Sequence, residues 1–287
     1  RPHKSFAIGS RAPWHWVKKS LNWHQRFHQV TRYDRPNREK IAWFFAQRFK
    51  FKESEMTDQT MFKRYAIYFV PKGELAKFGR AWLGWDCRKG QYISSENAFS
   101  EPLADREYFT KKPRKYGLHA TLKAPFRLQT TQNEPALRSA FHGFCNHQKP
   151  AASGNLTLSE QGGFISLRPQ RQSAALFELG KNCLEAFDPF RAPLDQNDLN
   201  RRRNARLSPR QNDFLYQWGY PYVLQEFQFH ITLSSRLSIL QREKIIPALK
   251  NLLVHELDCP FIIAHLALMG EDRNGQFHIL EEANLSG

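Results

Sequence analysis

From Arg64 onward, hydrophobic positions switch between a period of two and a helical period, and they do so twice. The first round predicts a strand over 64–71, a helix over 75–83 and a loop. A strand over 116–128, broken by Pro125, comes next, then a helix over 135–147 and a strand over 156–160. Gly162-Gly163 is a strong turn signal. The second round predicts a strand over 164–168 and a helix over 173–187 that stops at Asp188-Pro189. A long loop holding Pro193, Pro209 and Pro221 follows, then a strand over 227–237, a helix over 241–256 and a strand over 261–270. A last strand over 277–281 closes the pattern.

Strand, helix, loop, strand, helix, strand thus occurs twice. An α+β fold follows, bilobal and duplicated: two mixed or antiparallel sheets, helices on their outer faces, and a cleft between them. Residues 56–287 are expected to form this unit, with lobes of about 62–162 and 163–287.

The fourth element of each round carries the candidate chemistry. Side chains alternate faces along a strand. In 116–123 one face holds Tyr116, Leu118, Ala120 and Leu122, and the other Gly117, His119, Thr121 and Lys123. In 227–234 one face holds Phe227, Phe229, Ile231 and Leu233, and the other Gln228, His230, Thr232 and Ser234. Each strand therefore turns an apolar face to a core and sets a His and a Thr side by side on a polar face. A single His-x-Thr is common by chance; two at matching places of a duplicated pattern are informative.

Composition narrows the classes. Hydrophobic residues make up 41% of the 287, with 23 Phe, enough for a sizeable core. The formal net charge of +16 favours anionic partners such as phosphate esters, nucleic acid or acidic lipid. The excess is uneven: residues 1–55 hold 13 Lys/Arg against 4 Asp/Glu, leaving an excess of only 7 for all the rest. The remaining chain is mildly basic, so charge alone argues weakly for nucleic acid. Cys87, Cys145, Cys183 and Cys259 are scattered with no Cys-x-x-Cys pair, which disfavours a zinc ribbon or redox motif and suits a reducing, cytoplasmic setting. No apolar run has the length of a membrane span, and no signal-peptide pattern is present, so no membrane partner is expected.

Residues 1–55 form a basic extension unlike the rest, holding four of the seven Trp, with a helical pattern over 38–51 as their one periodic stretch. They are expected to be sequence read through from ahead of the start at Met56, a basic tail for an anionic polymer or membrane, or a targeting peptide. Their Trp content speaks against the last.

Cleaving a phosphodiester requires a base to activate water or a hydroxyl, an acid to protonate the leaving oxygen, and donors for the phosphoryl oxygens. Two histidines supply base and acid near neutral pH, and each such group contributes roughly 10²–10⁴-fold. Thr121 and Thr232 supply donors, and Lys123, on the parity of His119, supplies a cation. Neither cofactor nor metal is called for, and no metal-ligand cluster is visible in the sequence.

At these residues the sequence resembles the 2H phosphoesterase superfamily, and more narrowly its branch associated with bacterial phosphonate-metabolism operons. The resembling stretches are 64–68, 78–84, the run from Tyr116 through His119-Ala120-Thr121 to Arg127, Gly162-Gly163-Phe164, 186–191, 218–223 and 227–233. They span about 63–280 and leave out residues 1–55. The resemblance implies a two-lobed fold with both His-x-Thr pairs lining one cleft, and phosphoester chemistry, cyclic phosphodiesters included, without metal. It makes a small phosphorylated compound the expected substrate, an ester of the ribose-phosphate route among them.

Other residues admit a structural reading beside a functional one. Tyr220 and Tyr222 stack on a sugar or base, or simply pack; Arg80, Arg127 and Arg191 bind anion or brace the fold. Arg201-Arg202-Arg203, with Arg206 and Arg210, form a solvated face or a phosphate-gripping lid, and Asp188 ends a helix or orients a histidine. His142, His147, His255, His265 and His278 have no partner pattern. Two other functions use the same residues: an RNA enzyme acting on 2′,3′-cyclic ends, and a non-catalytic module binding a phosphorylated ligand. The lack of an aromatic-rich basic stripe after residue 55 disfavours RNA.

Overall fold

The computed structural model describes residues 62–94, 105–203, 206–257 and 260–287, with the side chains of 201–203 left aside. The expectations for residues 1–55 and for Cys259 lie outside these residues.

Ten strands and eight helices follow in chain order among the described residues. The order is β1 (Arg64–Phe69), α1 (Gly73–Leu83), the short hairpin β2 (Trp85–Asp86) and β3 (Gln91–Tyr92), α2 (Arg106–Thr110), β4 (Ala120–Phe126), α3 (Glu134–Asn146) and β5 (Ala151–Gln161). It continues β6 (Phe164–Pro169), α4 (Ala174–Phe187), α5 (Gln196–Arg203), α6 (Pro209–Trp218), β7 (Ile231–Thr232), α7 (Ile239–Leu252), α8 (Val254–Leu257), β8 (Pro260–Ile263), β9 (His265–Glu271) and β10 (Phe277–Asn284). Local chemistry sets several helix starts. Ser173 accepts from the Leu176 amide to cap α4, and Ser208 and Ser238 form capping boxes with Gln211 and Gln241 at α6 and α7.

Eight strands join in the order β10-β9-β1-β4-β7-β6-β5-β8, all neighbours antiparallel. The expected half-sheets meet edge to edge where β4 pairs with β7 at Ala120↔Ile231. Ala264 alone separates β8 from β9, yet these strands serve opposite halves, so the sheet has to curl.

The halves also exchange strands, which a boundary at residue 162 does not foresee. β5, from the first round, pairs with β6 and β8, whereas β9 and β10, from the end of the chain, build onto β1. The two-residue Gly162-Gly163 turn is the cause. Both glycines have positive φ (60° and 86°), which suits a tight hairpin and forces β5 beside β6.

Strand alternation sorts the core. Tyr65, Ile67 and Phe69 of β1 enter the main cluster, together with Leu137, Phe141, Leu176, Leu179, Ile245 and Leu249 from α3, α4 and α7. Ala66, Tyr68 and Val70 face the other way into a smaller cluster with Trp85, Ala267, Met269 and Phe277. Burying each large side chain of this kind contributes about 1.5–3 kcal/mol. The Trp82 indole of α1 donates to the Leu233 carbonyl at 2.7 Å, tying the first round to the segment that carries His230.

Both histidine strands are shorter than expected. Residues 114–116 form a 3₁₀ turn and Gly117 turns the chain at φ 71°, so β4 starts only at Ala120. In the other strand, the Gln172 amide donates to the Phe227 carbonyl and accepts from the Phe229 N–H, so a side chain stands in for a strand partner. The predicted loop after Pro193 contains α5 and α6, and Arg201, Arg202 and Arg203 end α5.

Candidate active site

His119 and His230 each immediately precede one of two adjacent strands, β4 and β7, whose register sets their relation. Ala120 faces Ile231, so at the flanking positions His119 stands opposite Thr232 and Thr121 opposite His230. Directly opposed Cβ atoms are about 4.5–5.5 Å apart and diagonal ones about 7–8 Å, which places both imidazoles within reach of one small group. Two pockets of about 450 and 490 Å³ open here. His230 lines the first and His119 the second, and Thr121, Thr232, Phe164 and Tyr220 line both, so they form one cleft.

The two rings are held in the same way. His119 Nδ1 lies 2.9 Å from the Gly117 carbonyl, and His230 Nδ1 lies 2.7 Å from the Gln228 carbonyl. A carbonyl only accepts, so Nδ1 carries the proton in both and each Nε2 keeps its lone pair. Gly117 is needed for its clamp. Its φ is positive, and a Cβ there would come within 2.9 Å of Cys87 Sγ.

Their surroundings differ. His119 stacks on Tyr68 with centroids 4.1 Å apart, and Tyr116 lies tilted at 5.3 Å. Burial pushes its pKa down to about 4, against the Gly117 hydrogen bond, and the charge of His230 adds to the lowering. Burial also lowers the His230 pKa, with the Gln228 carbonyl opposing and the Arg168 charge contributing. These settings dispose both rings to be neutral bases.

The other residues singled out in the sequence divide sharply. Thr121, Thr232, Tyr220 and Tyr222 line the cleft, and Tyr220 and Tyr222 meet edge to face at 5.6 Å. Lys123 does not line it. Tyr68 pairs with Thr121 but Ile67 pairs with Lys123, so β4 bulges by one residue between them. The bulge reverses the alternation and turns Lys123 onto the core face with Ile67. There its Nζ, on a residue only 2% exposed, donates to the Leu184 carbonyl at 3.1 Å and to Asp188 at 2.7 Å. Burial lowers the Lys123 pKa, and Asp188 offsets part of that. Burial raises the Asp188 carboxyl, but hydrogen bonds from Arg191 and Lys123 outweigh it and leave the group below its ordinary value. Asp188 is thus committed to two cations and orients no histidine.

Arg191 pairs with Asp188, Arg127 with Asp195 and Asp198, and Arg80 with Asp86. Outside the cleft, His278 pairs with Asp272 and His142 with Glu281, while His147 and His265 meet the carbonyls of Gly143 and Val70. Among the described residues no group of three or more His, Cys, Asp or Glu is arranged to hold a metal ion, and no helix is long and apolar enough to cross a membrane.

Sequence reasoning passed over Ser166 and Arg168. On β6, Ser166 faces Thr232 and Leu167 faces Ile231, so Arg168 stands opposite His230. Three strands thus present two rows, His119–Thr232–Ser166 and Thr121–His230–Arg168, to the cleft. The alternation Phe164-Ile165-Ser166-Leu167-Arg168 already put these polar side chains on one face; that β6 lies beside β7 was the missing information.

Residues 121–278 match the family model described as "Protein of unknown function (DUF1045)". The chain belongs to that family. This family member is 35% identical over 176 residues to "Ribose 1,5-bisphosphate phosphokinase PhnN" of Janthinobacterium sp. (strain Marseille), covering 61% of the chain and 39% of the relative. It is 32% identical over 178 residues to the protein of the same name from Laribacter hongkongensis (strain HLHK9), covering 61% and 40%. The chain therefore spans about two fifths of the length of these curated relatives. Among solved structures it is similar to E. coli LigT complexed with phosphate, at 10% identity and a TM-score of 0.37, covering 79% of this chain and all of that one. It is also similar to TT0787 of Thermus thermophilus, at 13% identity and a TM-score of 0.38, covering 78% and 98%. The chemistry of the DUF1045 cleft rests on its own geometry.

Proposed function

We propose that this protein is a phosphoesterase that hydrolyses a small phosphodiester, cyclic or ribose-linked, by general acid–base catalysis between His119 and His230, with no metal taking part. The observation that carries the reading is the matched pair of imidazoles. Each is clamped through Nδ1 by the carbonyl two residues earlier, and each faces a threonine across the strand pair.

One Nε2 takes a proton from water as the water oxygen attacks phosphorus. The P–O ester bond breaks, and the leaving oxygen takes a proton from the Nε2 of the other, protonated ring. A cyclic diester thereby becomes one phosphomonoester with a free hydroxyl. Thr121 and Thr232 donate to the phosphoryl oxygens, where charge accumulates. Burial favours the neutral form of both rings, and an anionic phosphoryl group between them favours the protonated form that the acid needs. The curated relatives' name supports ribose phosphates as the substrate class, and the sequence resemblance supports phosphonate metabolism as the setting.

The test is turnover of nucleoside 2′,3′-cyclic phosphates, sugar cyclic phosphates, linear phosphodiesters and oligonucleotides with cyclic ends, by the wild type and the His119→Asn and His230→Asn variants. The reading expects product from a small ester, undiminished by EDTA and lost in both variants. Wild-type turnover in either variant would refute it, and preference for the oligonucleotide would make the substrate RNA.

A further inference from the structure

Arg168 differs from most of the partly buried arginines. Arg64 pairs with Glu271, Arg88 with Glu282, Arg138 with Glu134 and Glu281, and Arg242 with Glu160. Among the described residues no carboxylate forms an ion pair with Arg168. Its Nη1 donates to the Gln228 side-chain oxygen at 2.8 Å, and its Nε is buried without a hydrogen-bond partner. A buried, unpaired N–H on a charged group is costly, so a side chain that keeps one in a pocket wall calls for a reason such as a bound ion, a water or a part in the chemistry. The acidic residue that lines the cleft, Glu226, accepts from Gln211 at 2.9 Å and lies 3.8 Å from Arg210.

Gln228 joins the guanidinium to the catalytic ring. Its side chain accepts from Arg168 while its main-chain carbonyl receives the His230 Nδ1 proton. Arg168 and His230 are therefore placed by one residue, on neighbouring segments, and both line one pocket.

We propose that Arg168 binds the phosphoryl oxygens of the substrate at the His230 end of the cleft, as the cation that Lys123 was expected to supply. The inference rests on the phosphoester reading for its ligand. A planar guanidinium offers two parallel N–H bonds to a phosphate, whereas an ammonium offers a point charge, so arginine and lysine are not equivalent here.

Calorimetric titration of the full chain with inorganic phosphate tests it, using wild type, Arg168→Gln, Arg168→Lys and a charge control, Lys181→Gln on α4. We expect Arg168→Gln to weaken phosphate binding about tenfold or more, as suits loss of a bidentate charged contact. Arg168→Lys should fall between, and Lys181→Gln should match wild type. Thermal melts identify any variant that fails to fold, in which case Arg168→Lys alone decides. NMR titration adds a readout that a merely structural arginine would not move: phosphate should shift the His230 Cε1–H signal in wild type, and the concentration needed should rise in Arg168→Gln. Equal phosphate affinity in wild type and Arg168→Gln, or no phosphate binding by wild type at millimolar concentration, would overturn the proposal. If phosphate binding depends on Arg168 but no phosphoester is turned over, the anion site stands and the phosphoesterase reading falls.

Discussion

The two halves of the cleft share a frame and differ in their furniture. His119 and His230 have the same carbonyl clamp and the same threonine across the strand pair. Yet His119 sits against Tyr68 and Tyr116, while His230 sits beside Arg168 and Gln228. The backbone geometry is shared, and the neighbours give each ring its own electrostatic setting. Backbone clamping is indifferent to side-chain divergence, which explains how two halves with little in common hold their rings alike.

The largest effect should come from removing either ring. His119→Asn and His230→Asn are each expected to lower kcat by roughly 10²–10⁴-fold with the fold intact by circular dichroism. A tenfold or greater gap between the two losses would show that the halves are unequal in the chemistry as well as in surroundings. Next come the hydroxyls. Thr121→Val and Thr232→Val should each cost on the order of 10²-fold in kcat with little change in KM, as expected for donors that act in the transition state.

Lys123 sharpens the comparison from outside the cleft. Lys123→Met leaves Asp188, half-buried, with one cation fewer and should destabilise the fold by about 2 kcal/mol, measured by urea denaturation. Turnover per folded molecule should stay near wild type. Gly117→Ala strains a positive-φ position beside Cys87 and should cost about 1–3 kcal/mol. Because Gly117 clamps only His119, its turnover loss should exceed that of an equally destabilising change on α3.

A further effect is on stability against pH. The unfolded chain takes up a proton on His119 near pH 6.5, whereas the folded protein resists it until about pH 4. The stability tied to the neutral ring is complete above pH 6.5 and is lost as pH falls toward 4. His119→Asn should lose less stability than wild type between those limits in matched denaturant titrations.

Much of this was legible in the sequence because it depends on local alternation. The apolar parity Leu118, Ala120, Leu122 and Phe229, Ile231, Leu233 fell into the core as read, and the His-Thr parity faced outward from it. Lys123 was misplaced because a bulge is set by pairing with β1, which no pattern within β4 reveals. Arg168 was passed over for a related reason: its alternation was visible, but its importance comes from lying beside His230, which depends on sheet order. The strand exchange between halves was equally hidden, since β5 and β9 carry ordinary strand patterns and only the connections decide which sheet they join.

The most direct probe is an NMR titration of the full chain with inorganic phosphate, following the Cε1–H signals of both imidazoles. If they flank a common anion, both signals should move together along curves with a single dissociation constant. Movement of only one signal, or two separate dissociation constants, would mean that the rings do not serve one phosphoryl group.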